Sequence, residues 1–141
     1  MPRLVLTRTL PAPPERVFKA WTDPEALTRW WVPVPGMSCP EAEVDLRVGG
    51  RYRITMRNTK GELLYVGGVY REVTPPTRLV YTWSWNGSSD DGVETVVTVE
   101  FRAAGDRTEL VLTHDGFPDQ ARCDGHERGW TGCLGHLPVA V

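Results

Sequence analysis

Apolar and polar positions alternate from the start of the chain. Leu4, Leu6 and Leu10 share one face of a period-two pattern, with Val5, Thr7 and Thr9 on the other, which predicts a strand. Arg8 has the parity of the leucines. The period changes at Pro13-Pro14-Glu15, where proline in the first turn and an acid at the amino end open a helix with Val17, Phe18 and Trp21 as its apolar stripe. Asp23-Pro24-Glu25 repeats the start signal and predicts a second short helix carrying Leu27, Trp30 and Trp31, stopped by Pro33 and Pro35.

From Glu41 to His114 the pattern is that of strands. Val44 to Leu46 runs into a tight turn at Val48-Gly49-Gly50 and returns as Arg51 to Arg57, with Tyr52, Ile54 and Met56 on one face and Arg51, Arg53, Thr55 and Arg57 on the other. The arginine row reads as the solvated face of a half-buried sheet. Leu63 to Val73 forms a long strand whose Gly67-Gly68 pair predicts a bulge or sharp bend. Pro75-Pro76 makes the next turn. Leu79 to Trp85, a polar loop from Asn86 to Gly92, Val93 to Phe101 and Thr108 to His114 complete an antiparallel meander, the last two strands joined near Gly105-Asp106.

Pro118 to about Leu137 reads as a helix, with His126, Trp130, Cys133, Leu134 and Leu137 on one stripe. Gly125, Gly129, Gly132 and Gly135 each weaken it by about 1 kcal/mol relative to alanine, so tertiary contact, expected as close approach to the sheet, must hold it. Strand, two helices, strands and a terminal helix make an α+β chain: a curved antiparallel sheet of about six to seven strands with the helices on one face.

The 141 residues fit a single domain spanning 1–141, able to form one core without metals or disulfides. A net charge of −2 argues against a nucleic-acid partner, and no apolar run reaches the length of a membrane span. Three cysteines form no closed disulfide set, so the expected compartment is the cytoplasm. Six tryptophans are an unusual aromatic load that calls for a packing or binding reason.

Standard catalytic motifs do not occur: the chain has no G-x-S-x-G elbow, phosphate-binding G-x-x-x-x-G-K or H-E-x-x-H. Cys39 falls in a proline-flanked loop, Ser38-Cys39-Pro40, and Asp90 and Asp91 fall in the polar loop. Cys123-x-x-His126 and Cys133-x-x-His136 have the look of zinc ligands. On one straight helix, however, His126 and Cys133 stand about 10.5 Å apart, too far to converge on one ion, so no metal or other cofactor is expected. His114 has the inward parity of Leu110 and Leu112. It fits either a ligand-contacting or proton-shuttling imidazole, or a core-edge histidine bonded to a backbone carbonyl. Arg8 fits a structural ion pair at the sheet edge or a contact to an acidic ligand.

An ordered series of motifs gives a further reading: Thr7-Arg8-Thr9, Pro14 through Phe18, Ala20 through Glu25, Trp30-Trp31, Asp45 through Tyr52, Pro75-Pro76 to Leu79, Thr82-Trp83, Leu112-Thr113-His114, Gly116-Phe117 and Gly129-Trp130. In this series the chain resembles the bacterial heat-shock-protein-90 ATPase activator homologues, within the START-like, or SRPBCC, helix-grip superfamily. It departs from them in its glycine-interrupted terminal helix and in ending soon after it. The resemblance implies a curved sheet gripping the long C-terminal helix around an internal cavity.

Parity supplies candidate walls for such a cavity. The candidate ligand-binding residues are Trp31, Tyr52, Ile54, Met56, Tyr81, Trp83, Val97, Val99, Leu112, His114, Trp130 and Leu134, with no catalytic residue among them. The leading expectation is a noncatalytic protein, possible as a homodimer, that encloses a hydrophobic or aromatic small molecule. The alternatives are a polyketide cyclase or aromatase-like enzyme using the same cavity, and a co-chaperone module with a chaperone partner, which the resemblance implies.

Overall fold

The computed structural model describes residues 1–86 and 92–141. Asp90 and Asp91, with most of the expected polar loop, lie outside the described residues. Strand β1 (Arg3–Leu10) is followed by helices α1 (Pro14–Thr22) and α2 (Pro24–Trp30), then by β2 (Ser38–Val44), β3 (Arg51–Arg57), β4 (Leu63–Thr74), β5 (Arg78–Asn86), β6 (Glu94–Ala104) and β7 (Arg107–Asp115). Helix α3 (Gln120–His136) runs into a terminal 3-10 turn, Leu137–Ala140. The strands form one antiparallel sheet in the order β1-β7-β6-β5-β4-β3-β2, so the first strand pairs with the last. The architecture is the α+β helix-grip: a curled sheet with the helices on its inner face. Among the described residues no helix is long and apolar enough to cross a membrane.

Register explains why the inward residues meet. Leu6 pairs with Leu112, Leu112 with Val99 and Val99 with Leu79, carrying one apolar row across four strands. A neighbouring row runs from Leu4 through His114 and Val97 to Tyr81 and Tyr70. The opposite face of β3 carries Arg51, Arg53 and Arg57 into solvent, where Arg53 reaches Glu43 at 3.4 Å and lies over the Tyr65 ring at 5.4 Å. These arginines form the solvated side of the sheet.

Several expectations are corrected. Ser38-Cys39-Pro40 is not a loop; it opens β2, and Asp45 to Leu46, expected in the strand, belong to the turn. Strand β2 lies at the sheet edge, where proline is tolerated, and its register with β3 shifts between Ser38 and Glu41, around Pro40. The register shift in β4 lies between Tyr70 and Glu72, not at the glycine pair. Gly67 and Gly68 serve instead for close backbone approach. A Cβ on Gly68 would lie 2.1 Å from the Thr82 carbonyl oxygen, and the Thr82 Oγ1 accepts the Val69 N–H at 2.8 Å. Arg8 makes no ion pair among the described residues; its guanidinium donates to the Thr7 carbonyl at 2.9 Å.

The terminal helix also differs from expectation. Its N-cap is Asp119, whose carboxylate accepts the Arg122 N–H at 2.8 Å. The close approach that its glycines permit is to the segment after α2, not to the sheet. A Cβ on Gly132 would lie 2.0 Å from the Pro33 carbonyl oxygen, while Gly135 has nothing within 4 Å. Only one of the four glycines is therefore demanded by tight contact.

That contrast makes a paired prediction. Gly135→Ala should raise stability by up to about 1 kcal/mol through helix propensity. Gly132→Ala should lower it by about 1–3 kcal/mol, because backbone must move to admit the methyl group. Urea denaturation of the two variants beside the wild type checks both signs.

Candidate functional site

Helix α3 packs its backbone on α2 and β1 and meets β5 through side chains, Trp130 against Trp83 and His126 with Trp85. The space left is an open cleft of about 650 Å3, a size typical of small-molecule sites. Met56, Leu64, Trp83 and Trp85 line it from the sheet; Trp31, Pro33, Val34 and Met37 line it from the segment after α2. Helix α3 contributes Ala121, Arg122, Gly125, His126, Arg128, Gly129, Trp130 and Cys133, and its N-cap Asp119 stands at the edge.

The aromatic rings around the cleft form one continuous cluster. Trp130 stacks on Trp21 at 6.0 Å, meets Trp31 edge-on at 5.1 Å and packs against Trp83 at 5.2 Å. Trp83 in turn meets Trp85 edge-on at 5.7 Å. These offset and edge geometries are the favourable ones for aromatic pairs.

Two imidazoles are bound into this cluster. Trp130 Nε1 donates to His114 Nδ1 at 3.0 Å, and Trp85 Nε1 donates to His126 Nε2 at 2.9 Å. An indole N–H can only donate, so each of those ring nitrogens is an acceptor and each imidazole is neutral. His114 therefore carries its proton on Nε2 and donates to Thr95 Oγ1 at 2.7 Å; His126 carries it on Nδ1 and donates to the Arg122 carbonyl at 2.7 Å. His114 is fully buried, and burial, aided by the neighbouring His126, holds its pKa well below the ordinary histidine value. Its partners are side chains, not the backbone carbonyl that was one of its expected roles. Trp83 Nε1 is the one buried side-chain nitrogen or oxygen among the described residues with no hydrogen-bond partner.

The remaining ionisable groups at the cleft are not poised for proton transfer near neutrality. The Arg122 N–H and guanidinium hold the Asp119 carboxyl below its usual range, and burial pushes the Cys133 thiol far up. The zinc-like spacing is not realised as a cluster, since His126 is engaged by Trp85 and the Arg122 carbonyl on a continuous helix. Cys39 is buried in β2, with its thiol pushed up to about 11.

The structure divides the twelve candidate residues into three groups. Trp31, Met56, Trp83 and Trp130 meet at the cleft. Tyr52, Ile54 and Tyr81 surround a much smaller void of about 10 Å3, shared with Trp21, Leu27, Trp31 and Tyr70. There Tyr52 donates to the Thr82 carbonyl at 2.7 Å, and Tyr81 accepts the Trp21 N–H at 3.2 Å. Val97, Val99, Leu112, His114 and Leu134 are buried in the core and do not line the cleft, His114 lying directly behind Trp83 and Trp130. Sequence reasoning missed the lining contributed by Pro33 to Met37 and by the first two turns of α3. His126 was legible from its place on the apolar stripe; the prolines carried no such signal.

Residues 11–141 match the family model described as activator of Hsp90 ATPase homolog 1-like protein. A crystal structure of a protein from Chromobacterium violaceum is 32% identical, with a TM-score of 0.86 over 100% of this chain and 98% of that one. The crystal structure of the AHSA1 protein from Silicibacter pomeroyi is 30% identical, with a TM-score of 0.85 over 98% of this chain and 96% of that one. A solution structure of an AHSA1-like protein from Aeromonas hydrophila, 24% identical with a TM-score of 0.84, shares the fold over 99% of this chain and 92% of its own. No curated protein matches the sequence.

The buried imidazole gives stability a pH dependence. An unfolded histidine takes up a proton near pH 6.5, whereas folded His114 resists it, so its contribution is present above that pH and is lost as pH falls below it. The loss should approach about 1.4 kcal/mol per pH unit until the folded pKa is reached. Urea denaturation between pH 8 and pH 5 should show this slope, and His114→Gln should flatten it.

Proposed function

The chain belongs to the activator of Hsp90 ATPase homolog 1-like family, and from that premise we propose that it is a binding protein enclosing an apolar or aromatic small molecule in the cleft between α3 and β3–β5. One observation carries this reading: four of the six tryptophans, Trp31, Trp83, Trp85 and Trp130, converge on a single opening of ligand size. Burying a flat apolar body against these rings and Met56 releases water from both surfaces and supplies the binding free energy. The indole N–H of Trp83 is a hydrogen-bond donor without a partner on the cleft wall.

The chemistry of the lining favours binding over catalysis. General acid–base work needs a group with a pKa near the operating pH and free to reach substrate. His126 has both ring nitrogens engaged, and the Asp119 carboxyl and Cys133 thiol are displaced from neutrality in opposite directions. The description of the family carries a co-chaperone reading as well. Fold families host unrelated functions, so residues of this chain decide between them, and the tryptophan-lined cleft supports the small-molecule reading.

Titration with a neutral aromatic probe, naphthalenemethanol, should quench the tryptophan fluorescence saturably. Trp85→Ala, at a partly buried position on the cleft wall, should weaken this binding about tenfold or more. Trp21→Phe, on the far side of Trp130 and outside the lining, should leave it unchanged. Failure of the wild type to show saturable quenching overturns the proposal.

A further inference from the structure

The charges around the cleft do not match the charge of the chain. The protein carries a net charge of −2, yet among the described lining residues the ionised groups are two arginines, Arg122 and Arg128, and one carboxylate, Asp119. Asp119 is already used, accepting both the main-chain N–H and the guanidinium of Arg122. His126 adds no charge, because its Nε2 accepts from Trp85. Among the described lining residues the cations therefore outnumber the anions by one.

Arg128 is the source of that excess. It is exposed, lines the cleft and makes no ion pair among the described residues. The acid one turn before it, Asp124, instead accepts from the Gln120 side chain at 2.8 Å. The guanidinium lies beside Gly125, where an added Cβ would be 3.9 Å from its Nη2. No side chain at position 125 therefore separates the cation from the cleft. Below it stand Trp83 and Trp85, an apolar wall that suits a flat body and offers no anion of its own.

Resting on the reading of the cleft as a binding site, we infer that its ligand class is an aromatic carboxylate. The ring system lies among Trp31, Met56, Trp83 and Trp85, and the carboxylate pairs with the planar guanidinium of Arg128. A guanidinium presents parallel N–H donors that match the two oxygens of a carboxylate, and a charge-assisted pair of this kind is stronger than a neutral hydrogen bond. A neutral aromatic of the same size makes the apolar contacts and forgoes the pair.

The test compares naphthoic acid with naphthalenemethanol at pH 7, using tryptophan fluorescence, on wild type, Arg128→Gln and Arg128→Glu. Arg128 is exposed, so neither substitution disturbs the core. The wild type should bind the acid about five- to tenfold more tightly than the alcohol. Arg128→Gln should abolish that preference, and Arg128→Glu should reverse it. Equal binding of the two probes by the wild type, or a preference that survives in Arg128→Gln, overturns the carboxylate assignment and leaves the cleft reading standing. Saturable binding of neither probe overturns both.

Discussion

The wedging of Trp130 between the helical layer and the sheet is the interaction on which the rest of the structure depends. It is buried, stacks on Trp21 from α1, meets Trp31 at the end of α2 and Trp83 on β5, and donates its N–H to His114 on β7. One side chain thus ties four elements to α3. Its polar atom is satisfied inside the core, so the ring can be buried completely without an unpaired N–H.

The largest side chains of this anchoring fall in the C-terminal half of the helix, with Cys123 and His126 as the contacts of its N-terminal half. Trp130, Cys133, Leu134 and, just beyond the helix, Leu137 are buried, and Gly132 lets the backbone of α3 reach the Pro33 carbonyl. Nearer the N-terminus, Gly125, Glu127 and Arg128 are exposed. The cleft lies beside these contacts: the backbone of α3 is drawn against α2 and β1, and Met56 and Leu64 on the sheet line an opening, with Trp85 bridging to His126 at its wall. The same geometry explains a helix tolerant of glycine, since packing of a few large side chains outweighs poor propensity.

Electrostatics complete the design. The two indole-to-imidazole bonds hold His114 and His126 neutral, which avoids a buried charge next to the aromatic cluster. His114 links the helix to β6 through Thr95, whose hydroxyl donates to the Trp83 carbonyl at 3.3 Å. The positive charge of the described lining is thereby left to arginines, of which Arg122 pairs with Asp119 and Arg128 is exposed to solvent.

The sequence by itself determined the elements and the inward faces. Alternation in Tyr52-Ile54-Met56 and Leu110-Leu112-His114, proline starts at Pro14 and Pro24, and the stripe through Trp130 and Leu134 are local signals, because strand and helix periods act over a few residues. Inward parity, however, does not distinguish a cavity wall from a packed core. Tyr81 and Trp83 have the same parity on one strand, yet Tyr81 meets Trp21 in the core while Trp83 reaches the cleft. Which inward residues stay unpacked depends on where α3 comes to rest, and that is decided by contacts distant in sequence: Trp130 with Trp21 and His114, Gly132 with Pro33. The edge strand through Cys39 and the lining from Pro33 to Met37 were hidden for the same reason. Pro40 breaks the local strand signal, and only pairing with β3 at the sheet edge makes the strand.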